Sequence, residues 1–217
     1  MTSEILQSGQ AGVLPAKQAR SQRRQRAILD AAHRLVETVG YENMKMEQIA
    51  AEANSSVGTL YQRFSNKDAL LDALLAETLE RLGRQIEDEL APERLRGDRR
   101  AALHQLMVMI VNFMRDNQGF VRALTSRQLR DPEGVSPLQS TARIAIARTW
   151  EALIADDPAL ATDQGWEKFR VSVQMAIGLA SNAVLNRPGP LQIDDPRMPG
   201  VLAAAVEGLL AQIDLPL

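Results

Sequence analysis

Glu47-Gln48-Ile49-Ala50-Ala51-Glu52-Ala53-Asn54-Ser55-Ser56-Val57-Gly58-Thr59-Leu60-Tyr61-Gln62-Arg63-Phe64 reads as two short helices joined by a tight turn. In the first, from about 46 to 53, Ile49, Ala50 and Ala53 fall on one face. Asn54 stands at the turn, where a left-handed backbone is often needed and Asn tolerates it. Ser56 is placed to cap the next helix, its hydroxyl accepting from an N–H two or three residues on. Leu60 and Phe64 lie one turn apart and can bury together, leaving Val57, Gly58, Thr59, Tyr61, Gln62 and Arg63 mostly outward. A second helix that begins small and polar and ends aromatic suits a helix-turn-helix whose second helix enters a DNA major groove.

Upstream, an amphipathic helix carries Ile28, Ala32, Leu35, Val36 and Val39 on one face, and Gly40 stops it. Before it, residues 16–26 form a basic arm with Arg20, Arg23, Arg24 and Arg26, and residues 1–15 read as disordered. Downstream, Ser65-Asn66-Lys67-Asp68 has the form of a capping box. It opens a helix carried on by Leu70, Leu71, Leu74, Leu75, Leu79, Leu82 and Ile86, long enough to join two domains. Pro92 and Gly97 bracket its end. Helices follow at about 99–116, 119–130, 138–155, 163–186 and 199–213, with no convincingly alternating strand. The stretch Leu106 to Val111 is apolar on all sides and predicts a central buried helix. The expected fold is all-α: an amino-terminal three-helix helix-turn-helix domain and a carboxy-terminal helical domain. The boundaries are 1–21 for the arm, 22–67 for the helix-turn-helix domain, 68–90 for the connecting helix and 91–217 for the second domain.

The chain is short of aromatics at 4% and has no Cys, which excludes disulfides, thiolate metal sites and a catalytic thiol. Residues 1–67 carry nine Lys/Arg against six acids, whereas the remainder carries sixteen against twenty-one. A basic amino-terminal part on an acidic body suggests that one end meets a polyanion. No stretch reaches the roughly 20 apolar residues that span a bilayer, and residues 1–15 lack the form of a signal peptide. A soluble, cytoplasmic protein is expected, with no membrane partner.

From about Arg23 to Leu75 the sequence resembles the tetracycline-repressor (TetR/AcrR) family. The resemblance rests on Gly58-Thr59-Leu60-Tyr61, Phe64, Lys67 and Leu70, preceded by Gly40-Tyr41 and Ile49-Ala50. It implies operator-DNA binding as a dimer and a variable carboxy-terminal domain that takes a small molecule, most members being repressors. Four positions depart from the family pattern. Asn54-Ser55 replaces the usual Gly-Val of the turn. Lys45 stands where a capping Thr or Ser is usual, with Asn43 as a substitute cap or Lys45 kept for a phosphate. Val57 replaces a Lys and can touch a thymine methyl instead.

The candidate DNA-contacting residues are Arg23, Arg24, Lys45, Ser55, Ser56, Val57, Gly58, Thr59, Tyr61, Gln62, Arg63 and Lys67. Ser56, Thr59, Tyr61 and Lys67 suit phosphates, Val57, Gly58 and Gln62 suit base edges, and Arg63 suits either. For a small apolar effector the candidates are Met107, Met114, Phe120, Leu124, Trp150 and Met175, weighed against plain core packing. Arg143, Arg148 and Arg170 are surface charges or partners for an acidic ligand group. His33 and Glu37 lie one turn apart, but a metal needs more ligands than these two. No metal, cofactor or catalytic constellation is expected. The last two helices are apolar on two faces and predict a four-helix homodimer interface with their twins. An all-helical enzyme and an interaction module that has lost DNA binding are the alternatives.

Overall fold

A computed structural model describes residues 16–130, 137–187 and 189–211; the disorder expected over 1–15 falls outside them. The described regular structure is helical: α1 Ala16–Val39, α2 Met46–Glu52, α3 Val57–Arg63, α4 Lys67–Glu89, α5 Pro92–Leu95, α6 Arg99–Asp116, α7 Gln118–Arg130, α8 Pro137–Asp156, α9 Asp163–Leu185 and α10 Met198–Ala211. Among these residues no helix is long and apolar enough to cross a membrane.

Each helix end follows from a local cause. Gly40 takes a left-handed φ of 79° after α1 and turns the chain. Asn54 does the same at φ 50° between α2 and α3. The Ser56 hydroxyl accepts the Thr59 N–H at 3.1 Å and caps α3. The cap of α4 is Asn66, whose side chain accepts from the Ala69 N–H at 2.7 Å, so no Ser65 capping box forms. Asp98 caps α6 and Thr162 caps α9 in the same way.

Two apolar clusters result. The first gathers Ile28, Ala32 and Val36 of α1, Ile49 and Ala50 of α2, Leu60 and Phe64, and Leu70 to Leu75 of α4. The second surrounds α6, which packs against α8, α9 and α10. Leu82 and Ile86, on the distal half of α4, belong to the second cluster, so this helix roots one end in each.

Three sequence expectations change. The basic arm is not a separate disordered lead-in from residue 16: Arg20, Arg23, Arg24 and Arg26 are exposed residues on the first turns of α1. Arg and Gln are good helix formers, so this polar stretch prolongs a helix nucleated by the buried face behind it. Val39, expected inward, is 38% exposed because α1 has run past the core. The Pro92–Gly97 link folds into the short α5, where Pro92 sits in the first turn and Leu95 is buried.

The seam between the clusters is α7. Its Phe120 and Ala123 are buried in the first cluster. A Cβ on Gly119 would fall 2.2 Å from the Val36 carbonyl oxygen, so glycine permits the α1–α7 crossing. The Glu37 carboxylate accepts from the Gly119 N–H at 2.7 Å and the Phe120 N–H at 3.0 Å. These are free N–H groups of the first turn, where a carboxylate is favoured. His33 Nε2 lies 3.0 Å from Asn117 Oδ1 across the same seam. Arg127 pairs with Asp72, and Arg130 with Glu42 at 3.2 Å.

Candidate functional site

The outward edge of α3 is formed by Gly58, Tyr61 and Gln62, all exposed, with Val57 and Thr59 half-buried behind them. Tyr61 is 50% exposed, unusual for so large a ring. Gly58 is not demanded by the fold: a Cβ there would meet only the Ser56 hydroxyl, at 3.9 Å. Its bare Cα leaves that face of α3 open to close approach from outside. Ser56 and Thr59 share a hydroxyl contact of 2.8 Å that braces the first turn.

The cations fall into two groups. Arg23 and Arg24 on α1 and Lys45 at the start of α2 are exposed. Lys45 holds the capping position without a side-chain cap bond, and its own N–H donates to Gln48 Oε1 at 2.9 Å. Asn43 instead donates to the Val39 carbonyl, closing the end of α1. Arg63 turns inward along the domain surface, donating to Ser21 Oγ at 2.7 Å and Gln25 Oε1 at 3.4 Å. Lys67 donates to the carbonyls of Tyr41, Glu42 and Met44 at 2.9–3.3 Å and lies over the Tyr41 ring. An ammonium has three N–H bonds, so this one is occupied in holding the α1–α2 turn. Ser55 is half-buried, and its N–H closes the turn onto the Ala50 carbonyl.

In the second domain a cavity of about 330 Å³ lies among α4, α6, α7, α8 and α9. Leu82 and Ile86 form one wall, Met109, Phe113 and Met114 a second, and Val121 and Leu124 a third. Of the six effector candidates, Met114 and Leu124 line it. Met107 is fully buried in the solid core, and Phe120 is buried in the first cluster. Trp150 stacks on Phe169, with ring centroids 5.4 Å apart, and touches Trp166. Met175 is 59% exposed on the outer side of α9. A helix buried on several sides does not reveal which side meets empty space, and that is where the composition argument fails. Arg143, Arg148 and Arg170 do not line the cavity. The His33–Glu37 pair is engaged by Asn117 and the start of α7.

Residues 28–74, the span of these three helices and the start of α4, match the model of the tetR family of bacterial regulatory proteins. Over these residues the chain carries an amino-terminal domain of the TetR family. Among curated proteins, the nucleoid occlusion factor SlmA of Pasteurella multocida is 31% identical over 119 residues, 53% of this chain and 56% of that protein. The nicotine-responsive repressor HdnoR of Paenarthrobacter nicotinovorans is 36% identical over 86 residues, 39% and 42% respectively. The repressor KstR of Rhodococcus jostii is 44% identical over 64 residues, 30% of each chain. The match thus spans about half the length of these relatives or less. A TetR transcription regulator from Haloarcula marismortui superimposes with a TM-score of 0.62 at 20% identity, over 87% of this chain and 97% of that one. GusR of Salmonella enterica gives 0.60 at 18%, over 87% and 96%. At these identities the likeness is one of fold.

Within this TetR-family domain the Gly40-Tyr41 pair and Lys67 act as one brace. The Tyr41 hydroxyl donates to Asp68 Oδ1 at 2.5 Å while its ring carries Lys67. Burial, then the bond to Asp68, pushes the phenol above its ordinary ionisation range. The neutral phenol's contribution is therefore complete below the ordinary phenol value and is lost only as pH rises through the raised folded one. Tyr41→Phe keeps the ring and removes the bond. The expected cost is about 1 kcal/mol, read as a lower midpoint in thermal denaturation at pH 7 and as a difference from wild type that shrinks at strongly alkaline pH.

Proposed function

We propose that this protein is a dimeric transcriptional repressor that binds double-stranded operator DNA through α3 and leaves it when a small apolar ligand enters the second-domain cavity. The exposed, uncommitted edge of α3 carries this reading. Gln62 supplies the amide suited to adenine, Val57 an apolar contact, and Gly58 the close approach. Arg23, Arg24 and Lys45 flank that edge with free positive charge for phosphates, and Tyr61, Thr59, Ser56 and Ser55 complete the surface. Arg63 and Lys67 serve it indirectly, the one bracing α1 against α3 and the other holding the α1–α2 turn. Arg63→Ala therefore perturbs the arm as well as the surface, and Gln62→Ala is the cleaner probe.

The route from ligand to DNA runs through α7. One face of this helix, with Phe120 and Ala123, sits in the first cluster. Another face, with Val121 and Thr125, lines the cavity, and Leu124 touches both the first cluster and the cavity. A ligand that repositions α7 pulls on α1 through Glu37 and rotates the reading head. It need only favour the non-binding arrangement: each tenfold loss of DNA affinity requires about 1.4 kcal/mol of coupling. The two heads of a dimer must match half-sites about 34–36 Å apart or a multiple of that.

Gel-shift titration against DNA upstream of the protein's own gene tests the reading. Specific retardation at moderate salt is expected; equal affinity for unrelated duplex would overturn it. Gly58→Ala separates fold from function. Helix propensity makes it neutral or up to about 1 kcal/mol stabilising, while operator affinity falls about tenfold or more as the new methyl holds α3 off the groove.

A further inference from the structure

We infer that the cavity selects an uncharged ligand: an aliphatic body of medium length ending in one neutral hydrogen-bonding group, such as an alcohol or a primary amide. This rests on the reading of the cavity as the effector site. No Asp, Glu, Lys, Arg or His lines it among the described residues. The nearby guanidiniums of α7 are engaged elsewhere: Arg122 donates to the Val184 carbonyl, Arg127 pairs with Asp72 and Arg130 with Glu42. A carboxylate or ammonium entering the cavity would lose water and find no opposite charge, which strongly disfavours it.

The lining still offers polarity of the neutral kind. Thr125 uses its hydroxyl hydrogen on the Val121 carbonyl, 2.9 Å away, and keeps acceptor capacity. Ser181, half-buried on α9, and Gln139, exposed at the start of α8, also line the cavity and make no hydrogen bond among the described residues. A hydroxyl and an amide can each donate and accept, so together they suit a head group that does both without carrying charge. The volume of about 330 Å³, at the roughly 30 Å³ that one water occupies, admits about ten or eleven non-hydrogen atoms.

Calorimetric titration of the full chain at pH 7.4 with 1-nonanol, nonanamide, nonanoate and nonylammonium tests this, since the four probes share length and differ in head group. The alcohol and amide are expected to bind at least about thirtyfold more tightly than either ion. Ser181→Val is expected to weaken the alcohol about tenfold. Ala142→Trp, which fills the cavity from α8, is expected to abolish binding. If nonanoate or nonylammonium binds as well as the alcohol, selection for neutrality is wrong although the cavity is a ligand site. If nonanol binding ignores Ser181→Val, the head-group assignment is wrong. If none of the four binds, or Ala142→Trp leaves binding intact, the cavity is not the effector site and the inference falls with that reading.

Discussion

Gly119→Ala is expected to destabilise the protein by roughly 3–5 kcal/mol, although alanine is the better helix former. The added methyl carbon would lie 2.2 Å from the Val36 carbonyl oxygen, 2.8 Å from its carbon and 2.9 Å from the Glu37 Cα. All three are backbone atoms of a helix whose Val36 is fully buried, so no side chain can swing aside. The two helices must separate. Overpacking of this kind costs about 1–3 kcal/mol, and separation also stretches the bonds from Glu37 to the Gly119 and Phe120 N–H groups. Hydrogen bonds to a charged group contribute about 1.5–3 kcal/mol. For a chain of this size that total lowers the melting midpoint by about 6–20 °C, measurable by circular dichroism. Gly58→Ala is the internal control, because its methyl meets nothing nearer than the Ser56 hydroxyl at 3.9 Å. An unchanged melting midpoint for Gly119→Ala would remove the seam from the account of how the two clusters are joined.

What could be read from sequence here depended on the range of the interaction. The helix-turn-helix was legible because its determinants are local: the left-handed Asn54, the Ser56 cap and the Leu60–Phe64 pair each act within a turn or two. The bounds of α6 and α9 were legible from Gly, Pro and Asp breaks, while the expected break at 131–134 and helix end at 213 lie outside the described residues. The seam was not legible. Glu37 had no role in the sequence once a metal pair with His33 was set aside, because its partners lie more than 80 residues away and are backbone N–H groups, which leave no mark in sequence. Gly119 likewise stands at the expected start of a helix, where a glycine does not announce that another helix crosses it. Lys67 has the right charge and place for a phosphate contact, and only the folded α1–α2 turn turns three carbonyls toward it. The cavity was the hardest. Met107 and Met114 are two turns apart on one helix, yet Met107 packs in solid core and Met114 faces empty volume. That difference is set by where α7 and α8 sit, not by anything Met107 and Met114 share.

Leu179→Arg is expected to split the proposed dimer and cost at least a hundredfold in operator affinity, with the fold of each subunit intact. Exposed large apolar side chains are few in the described chain, and four of them sit on the last two helices: Met175 at 59%, Leu179 at 46%, Leu185 at 37% and Val201 at 47%. Beside them on α10 lie Gly200, Ala204, Ala205 and Gly208, also exposed and small enough for close helix approach. No charged residue interrupts α9 from Val171 to Leu185. The one acid of α10, Glu207, faces Arg100 of α6 at 3.7 Å. Such a surface is costly in water and suits a twofold partner. Because a twofold axis doubles every substitution, Leu179→Arg removes two leucines and sets two like charges in one apolar interface. At about 1.5–3 kcal/mol for each leucine, the loss is about 3–6 kcal/mol, a hundredfold or more in the dimer constant. Without the dimer each reading head must bind its half-site alone, so DNA affinity falls although α3 is untouched. Sedimentation should show a monomer with wild-type helicity, and calorimetry should show nonanol binding retained, since α9 meets the cavity through Ile177 and Ser181 on its other side. A Leu179→Arg protein that still sediments as a dimer would mean that the twofold contact lies elsewhere, and the spacing of the two α3 helices would then have to be derived from a different face.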